Sequence, residues 1–385
     1  MLLGARGISY AGDTLSMVAL MLHVASSTGQ ALAVAALLLA GDFVPSLVAP
    51  FAGALADRFD RRRLMIGCEL VQALAVLVIA LTLPPVWPLL ALVAARAVAG
   101  QVFQPASRAA VPSLVPPDGL VAGNARLGLV TNLAEVAGPL LAAALLPGLG
   151  TRGVLAVDAA SFVVSAALLT RLPRLEPVAL EVESLWAGAR TGLGYLVRHR
   201  TVRIVALGFC AVVLCTGVDD VALVVLAKED LGANDSVAAL LLGAVGFGLT
   251  AGYALLSKAG DHLRMTVLLI AGFAVSSAGN LLTGAFAHVT WAVAAVFAMQ
   301  AGRGLGIAAI DVASNTLLQR LVPDALLGRV FANLYGAVGA SAALSYVGGG
   351  LLLDATDAPT TLIVAGAGGL LAAFVAAVAL ARRVD

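Results

Sequence analysis

The chain is a succession of continuous apolar runs, each about the twenty residues that a helix needs to cross a hydrocarbon core ~30 Å thick. Only helices and closed barrels satisfy their backbone groups in lipid. The runs lack the alternation of barrel strands, so helices are expected. Cutting at charge clusters and Pro/Gly punctuation predicts twelve spans, at 2–24, 30–56, 64–83, 87–109, 119–147, 152–170, 201–226, 235–258, 264–286, 289–319, 325–353 and 359–381. Composition agrees, with 61% of the 385 residues hydrophobic and 12% charged, against about 45–50% and ~25% in soluble domains. A globule must cover its surface with polar groups; a bilayer removes that demand. The apolar start carries Arg6, Gly7, Gly12 and Asp13 and has no small-residue cleavage site, so it is expected to be a retained first span, not a signal peptide.

Charge placement sets the expected orientation. With an even number of spans and both termini cytoplasmic, Arg152 and Lys228 fall outside, Arg96 and Arg303 fall within the membrane, and the other nineteen of the 23 Lys and Arg lie inside. A net charge of +1 offers no electrostatic case for nucleic acid. Cys68, Cys210 and Cys215 sit in apolar runs and read as packed free thiols, with no metal site or cofactor expected. The polar stretch from Arg171 to Arg200 contains Trp186, Tyr195 and Arg198-His199-Arg200. It divides the chain six spans from six and reads as an interfacial amphipathic helix. The expected organisation is therefore a six-helix bundle at 1–170, a cytoplasmic linker at 171–200 and a second six-helix bundle at 201–385.

The halves repeat one another. Arg96 is answered by Arg303, Leu114-Val115-Pro116-Pro117-Asp118 by Leu321-Val322-Pro323-Asp324, Asp57 by Asp261, and Asp13 by Asp219 or Asp220, at offsets of 204–207. An even number of spans per half makes the repeats parallel, with a substrate site expected near the midplane.

The strongest local motif is Gly53-Ala-Leu-Ala-Asp57-Arg58-Phe-Asp60-Arg61-Arg62-Arg63, in the loop after the second span. A positive-inside loop requires the arginines but not the preceding Gly and Asp. A small residue at a span's end lets another helix approach, and Asp57 beside Arg58 and Arg61 forms a charge cluster able to break and remake as a gate. Gly53, Asp57, Arg58, Arg61 and Arg62 match the signature loop of the major facilitator superfamily, which the chain resembles over essentially its whole length. Asp60 stands where that family usually has Gly. The resemblance implies an all-α integral membrane fold of twelve helices in two pseudo-symmetric bundles, with the loop contacting the eleventh span in one access state. Arg96 followed by Gly100 is similar to the fourth-span motif of proton-linked drug exporters, with Ala99 in place of its polar residue. Glu135 to Gly138-Pro139 resembles the Gly-Pro motif of antiporters, and a plain proline kink is the alternative.

A charge inside a span costs at least about 2.5 kcal/mol, so it should face a cavity or a partner. A carboxyl group in a low-dielectric cavity binds a proton more readily than in water, and an adjacent Arg opposes this. The resemblance implies that the first, fourth, seventh and tenth spans line the cavity, which is where Asp13, Arg96, Asp219/Asp220 and Arg303 fall. Asp158 is expected near the outer mouth, with Asp219 and Asp220 either in the cavity or solvated there; Asp42 and Asp311 read equally as packing partners. The Gly302-Arg303-Gly304-Leu305-Gly306 run follows no strand and is not a phosphate loop. Arg6 to Asp13, Pro105-Ala-Ser107-Arg108 and Asp158-Ala-Ala-Ser161-Phe162 look like macrolide-efflux and siderophore-export carriers. The implied function is proton-coupled efflux of a small amphipathic organic molecule from the cell by a monomeric multi-pass protein of the cell membrane. Asp13 or Glu135 would accept the proton, tuned by Arg96 and Arg303. A proton-coupled uptake permease is the alternative. A membrane-embedded enzyme is remote, because His23, His199, His262 and His288 are scattered and no nucleophile–base pair is visible.

Overall fold

The computed structural model describes residues 1–28, 31–175, 185–227, 231, 235–258, 263–287, 289 and 292–381. Among these the chain is helical, without strands. The helices are α1 (Leu2–Thr28), α2 (Ala31–Arg58), α3 (Arg61–Thr82), α4 (Val86–Leu114), α5 (Leu120–Leu169), α6 (Leu185–Arg198), α7 (Arg200–Thr216), α8 (Asp219–Val225), α9 (Asp235–Lys258), α10 (Met265–Ala285), α11 (Ala292–Leu321), α12 (Leu327–Ala355) and α13 (Ala358–Ala381). Nine stretches among the described residues are long and apolar enough to cross a membrane.

The helix ends follow the expected spans closely, with one span broken. Helix α4 runs past 109, through Pro105 and Pro112, to Leu114. A proline removes one backbone donor and bends a helix without having to end it when neighbours satisfy the freed carbonyl. Beside Pro112, Arg61 Nη1 donates to Ala109 O at 2.8 Å, which ties this end of α4 to the start of α3. The fifth and sixth spans abut within α5 at Gly150, whose φ of 63° and ψ of 179° suit a residue without Cβ. The seventh span is broken, with α7 closing at Gly217 and α8 restarting at Asp219.

The helices form two compact units. One comprises Met1–Leu114, Val130–Gly194 and Val322–Gly336; the other comprises Val115–Leu129, Tyr195–Leu321 and Ala337–Asp385. In the first, α2 and α3 pack on α4 around Leu20, Leu37, Val76, Ile79, Val93 and Phe162. A second layer gathers Met65, Phe103, Ala106 and Leu169. In the second unit α10 packs on α11 and α13, and α11 on α9, around Val205, Leu269, Phe273, Ile310 and Val312. Lipid supplies no hydrophobic drive between helices, so close backbone approach carries the packing. Gly304 meets the backbone of Val245 and Gly248, and Gly306 meets that of Gly272 and Ser276. Gly304 and Gly306, beside Arg303, are thus helix-packing positions, whereas Gly302 faces open space.

Helix α3 starts on a side-chain cap, with Asp60 Oδ1 accepting from Arg63 N at 2.8 Å, a bond that satisfies one of the orphan donors of the first turn. The linker's 176–184 segment lies outside the described residues. Its helix α6 is seated through Gly188 and Gly192, which lie against Arg329 at the start of α12, and Asn333 Nδ2 donates to Ala189 O at 3.2 Å.

Candidate functional site: a charged cavity and a capped loop

Within the first unit a cavity of about 340 Å³ is lined by Arg6, Tyr10, Asp13, Gln72, Arg96 and Gln104, among others, with Gly100 in its wall. Arg6 stacks over Tyr10 at 4.5 Å and over Phe103 at 5.5 Å, a favourable placement of a cation on ring faces. Glu69, almost fully buried, lies beside Ser165, Arg6 and Ser9. The sequence reading missed Arg6 and Glu69 as a pair, although both are charges inside apolar runs.

The centre of the site is Arg96. Its Nη1 lies 2.5 Å from Asp13 Oδ1, donates to Ser16 Oγ at 2.9 Å and stands 3.9 Å from Asp158 Oδ2. Ser161 Oγ donates to Asp158 Oδ1 at 3.3 Å. Helix α1 supplies Asp13 and Ser16, α4 supplies Arg96, and the second segment of α5 supplies Asp158 and Ser161. A Cβ at Gly12 would overlap Ser161 Oγ and Asp158 Oδ1, so this crossing of α1 and α5 requires glycine. Asp158, expected near the outer mouth, is thus buried between helices rather than solvated. Its side chain is 0% exposed, whereas that of Asp13 is 31% exposed at the cavity. Gly138 fills an equally tight place, where a Cβ would overlap Thr14 Oγ1, and Pro139 follows within the same helix. Glu135 sits on an exposed face of α5 and does not line this cavity.

The second unit holds the counterpart. Arg303 Nη2 lies 2.6 Å from Asp219 Oδ2, and Asn280 Nδ2 donates to the same oxygen at 2.7 Å. Arg303 Nη1 donates to Gln300 Oε1 at 3.2 Å, and Gln300 Nε2 donates to Thr283 Oγ1 at 3.0 Å. Asp219 is thus not solvated but almost fully buried. The side chains of Asp220 and Asp42, and all of Asp261, His262 and His288, lie outside the described residues. Asp311 accepts from Tyr253 Oη at 3.2 Å and from Asn315 Nδ2 at 2.8 Å, which makes it a packing partner of α9 and its own helix. No cluster of three or more His, Cys, Asp or Glu able to hold a metal ion occurs among the described residues.

At the end of α2, Asp57 caps α12. Its Oδ1 accepts from Gly328 N and its Oδ2 from Arg329 N, both at 2.9 Å, at a helix N-terminus whose free N–H groups favour an anion. Arg61 lies 3.8 Å and Arg329 3.7 Å from the same carboxylate. Arg61 Nη2 also donates to Asp324 O at 2.7 Å. Gly53 packs under this contact, since a Cβ there would strike Gly328 O and Ala332. Two expected members stand apart: Arg58 is exposed over the ring of Phe59 at 5.8 Å, and Arg62 takes no part in the Asp57 contacts. Asp60, the departure from the family pattern, caps α3 and accepts from Leu175 N at 3.2 Å.

The sequence model described as "Major Facilitator Superfamily" matches residues 2–218 and again 209–385. An uncharacterised MFS-type transporter of Bacillus subtilis, YfiS, is 27% identical over 383 residues, covering 95% of this chain and 89% of its own length. Macrolide efflux protein A of Streptococcus pyogenes is 24% identical over 176 residues, 44% of each chain. Among solved structures, a bacterial homologue of the iron transporter ferroportin in an outward-facing state superposes with a TM-score of 0.81 at 18% identity, covering 99% of this chain and 98% of its own. That likeness concerns the fold.

Proposed function

The chain belongs to the Major Facilitator Superfamily, and on that premise we propose that it is a proton-coupled exporter of a small amphipathic organic molecule. The observation that carries this reading is the Asp13–Arg96–Asp158 cluster on the wall of the 340 Å³ cavity. One guanidinium faces two carboxylates, so the fully ionised cluster has a net negative charge that a single proton removes. Asp13 is the member open to the cavity and is the proposed proton acceptor. Protonating it removes its attraction for Arg96 and leaves Arg96 to Asp158 and Ser16. That is a local two-state change of the kind that biases a larger motion.

In this reading the cavity accepts substrate and proton alternately, and the Asp57–Gly328–Arg329 contact is the inner gate, closed when the carboxylate caps α12. Arg303 and Asp219 are a structural pair in this scheme, because Asp219 is almost fully buried within its own unit. Glu135 is set aside as the acceptor because it is exposed and does not line the cavity. The macrolide-efflux relative supports the outward direction and an amphipathic cargo. We place the protein in the cell membrane, as for its bacterial relatives, and infer both termini cytoplasmic from the Lys and Arg bias; a monomer is the oligomeric state we propose.

Inside-out vesicles test the proposal. An imposed proton gradient should drive accumulation of a toxic substrate into vesicles carrying the wild-type chain. Asp13→Asn should abolish accumulation and substrate-induced proton release while inserting normally. Full activity in Asp13→Asn removes that residue from coupling, and proton-driven uptake by whole cells reverses the direction.

A further inference from the structure

A second cavity, of about 730 Å³, lies in the second unit, apart from the charged cluster. It is an open groove between the start of α7, the start of α10 and the end of α13. Thr201, Arg264 and Thr266 stand at one end, from the first turns of α7 and α10, and Val267, Ile270 and Leu380 lie among the apolar walls. Thr201 is 4% exposed, yet its Oγ1 has no hydrogen-bond partner among the described residues. A buried hydroxyl without a partner costs about 1–3 kcal/mol, so a hydroxyl left this way in a groove points to a ligand acceptor. Arg264, the N-cap residue of α10, has no acceptor atom with which to cap, so no side-chain cap from it meets the first-turn N–H groups of this 21-residue helix, a helix end that favours an anion. Arg200 is held at the same end, its Nη2 donating to Ala379 O at 3.4 Å.

We propose that this groove binds one anionic glycerophospholipid, with an acyl chain along Val267, Ile270 and Leu380 and the phosphate at Arg264, Thr201 and the start of α10. The volume lies in the range of small-molecule sites. The chemistry has two poles: an anion with at least one acceptor oxygen, and a hydrocarbon chain continuous with it. A membrane lipid supplies both, and basic residues at the ends of membrane helices attract anionic headgroups. A water-soluble anion would leave the apolar wall unused, and an apolar drug would leave Thr201 and Arg264 unpaired.

The test is native mass spectrometry of the full chain in detergent, titrated separately with phosphatidylglycerol and phosphatidylcholine of the same chains and with inorganic phosphate. One phosphatidylglycerol should bind more tightly than phosphatidylcholine. Arg264→Ala should weaken phosphatidylglycerol about fivefold and barely change phosphatidylcholine; Arg264→Lys should keep the preference. Thr201→Val should weaken phosphatidylglycerol too, and Ile270→Trp, by filling the groove, should weaken both lipids. Equal binding of the two lipids overturns the proposal, as does phosphatidylglycerol binding that survives Arg264→Ala and Ile270→Trp. Inorganic phosphate displacing the lipid at comparable concentration would make the site one for a free anion and also overturn it.

Discussion

Arg96 is surrounded by more negative charge than it neutralises, and that imbalance makes its substitution informative. Truncating it leaves Asp158, wholly buried, without its cation. Removing one partner of a buried pair costs about 3–5 kcal/mol. Arg96→Ala is therefore expected to lower the thermal midpoint of the purified protein strongly. Adding Asp158→Asn should recover part of that loss, because the stranded charge is gone. No recovery in the double variant would mean that Arg96 stabilises by packing alone. The same residues show how far single positions can be read from sequence. Asp13 and Arg96 were legible as charges inside apolar runs that must find partners. Asp158 lies in an apolar run too, but which helices its side chain meets depends on how the second segment of α5 turns away at Gly150, and the run itself does not carry that rotation.

At the scale of elements, glycine placement decides which helices touch. At Gly138 and Gly12 of the first unit a Cβ would overlap the neighbouring helix, whereas at Gly67 on α3 nothing lies within 4 Å. Gly138→Val should therefore cost ~1–3 kcal/mol by overpacking the α1–α5 crossing, and Gly67→Ala should leave the melting temperature unchanged or raise it. Equal effects of the two substitutions would contradict the packing described. The α2–α12 contact is built in the same way, by Gly53 beneath and Asp57 above. Asp57→Asn places an amide N–H₂ against a backbone donor, so one of the two N–H bonds is lost. Transport should slow with substrate binding near normal, as checked by equilibrium binding beside initial rates. Unchanged rates would reduce the loop to an orientation signal. The motif's Gly, Asp and Arg61 were recognisable in the sequence. Their partner Arg329 was not, because a lone Arg after a Leu-Gly pair carries no mark of the helix end it occupies.

Across the whole molecule, the duplication is visible in chemistry as well as in spacing. Each half pairs an Asp from its first span with an Arg from its fourth, at 2.5 and 2.6 Å. The third partners differ: Asp158 in one case and Asn280 in the other. The first cluster opens on a cavity through Asp13, while in the second Asn280 donates to an almost fully buried Asp219. Asp219→Asn should consequently reduce stability, by ~1–3 kcal/mol for the unsatisfied groups left behind, with the proton-to-substrate ratio preserved in whatever protein folds. A changed ratio in that variant would move coupling to the second half. The sequence by itself determined the helical class, the repeat and the charged residues inside apolar runs that must find partners. These follow from a bilayer acting on one segment at a time, through length and mean hydropathy. Only the tertiary structure decided which acid meets which arginine, which pair faces a cavity and where helix ends are capped. Those outcomes depend on rotation and depth of each helix. A helix apolar all round, with lipid on one side and apolar protein on the other, does not write its rotation into its pattern.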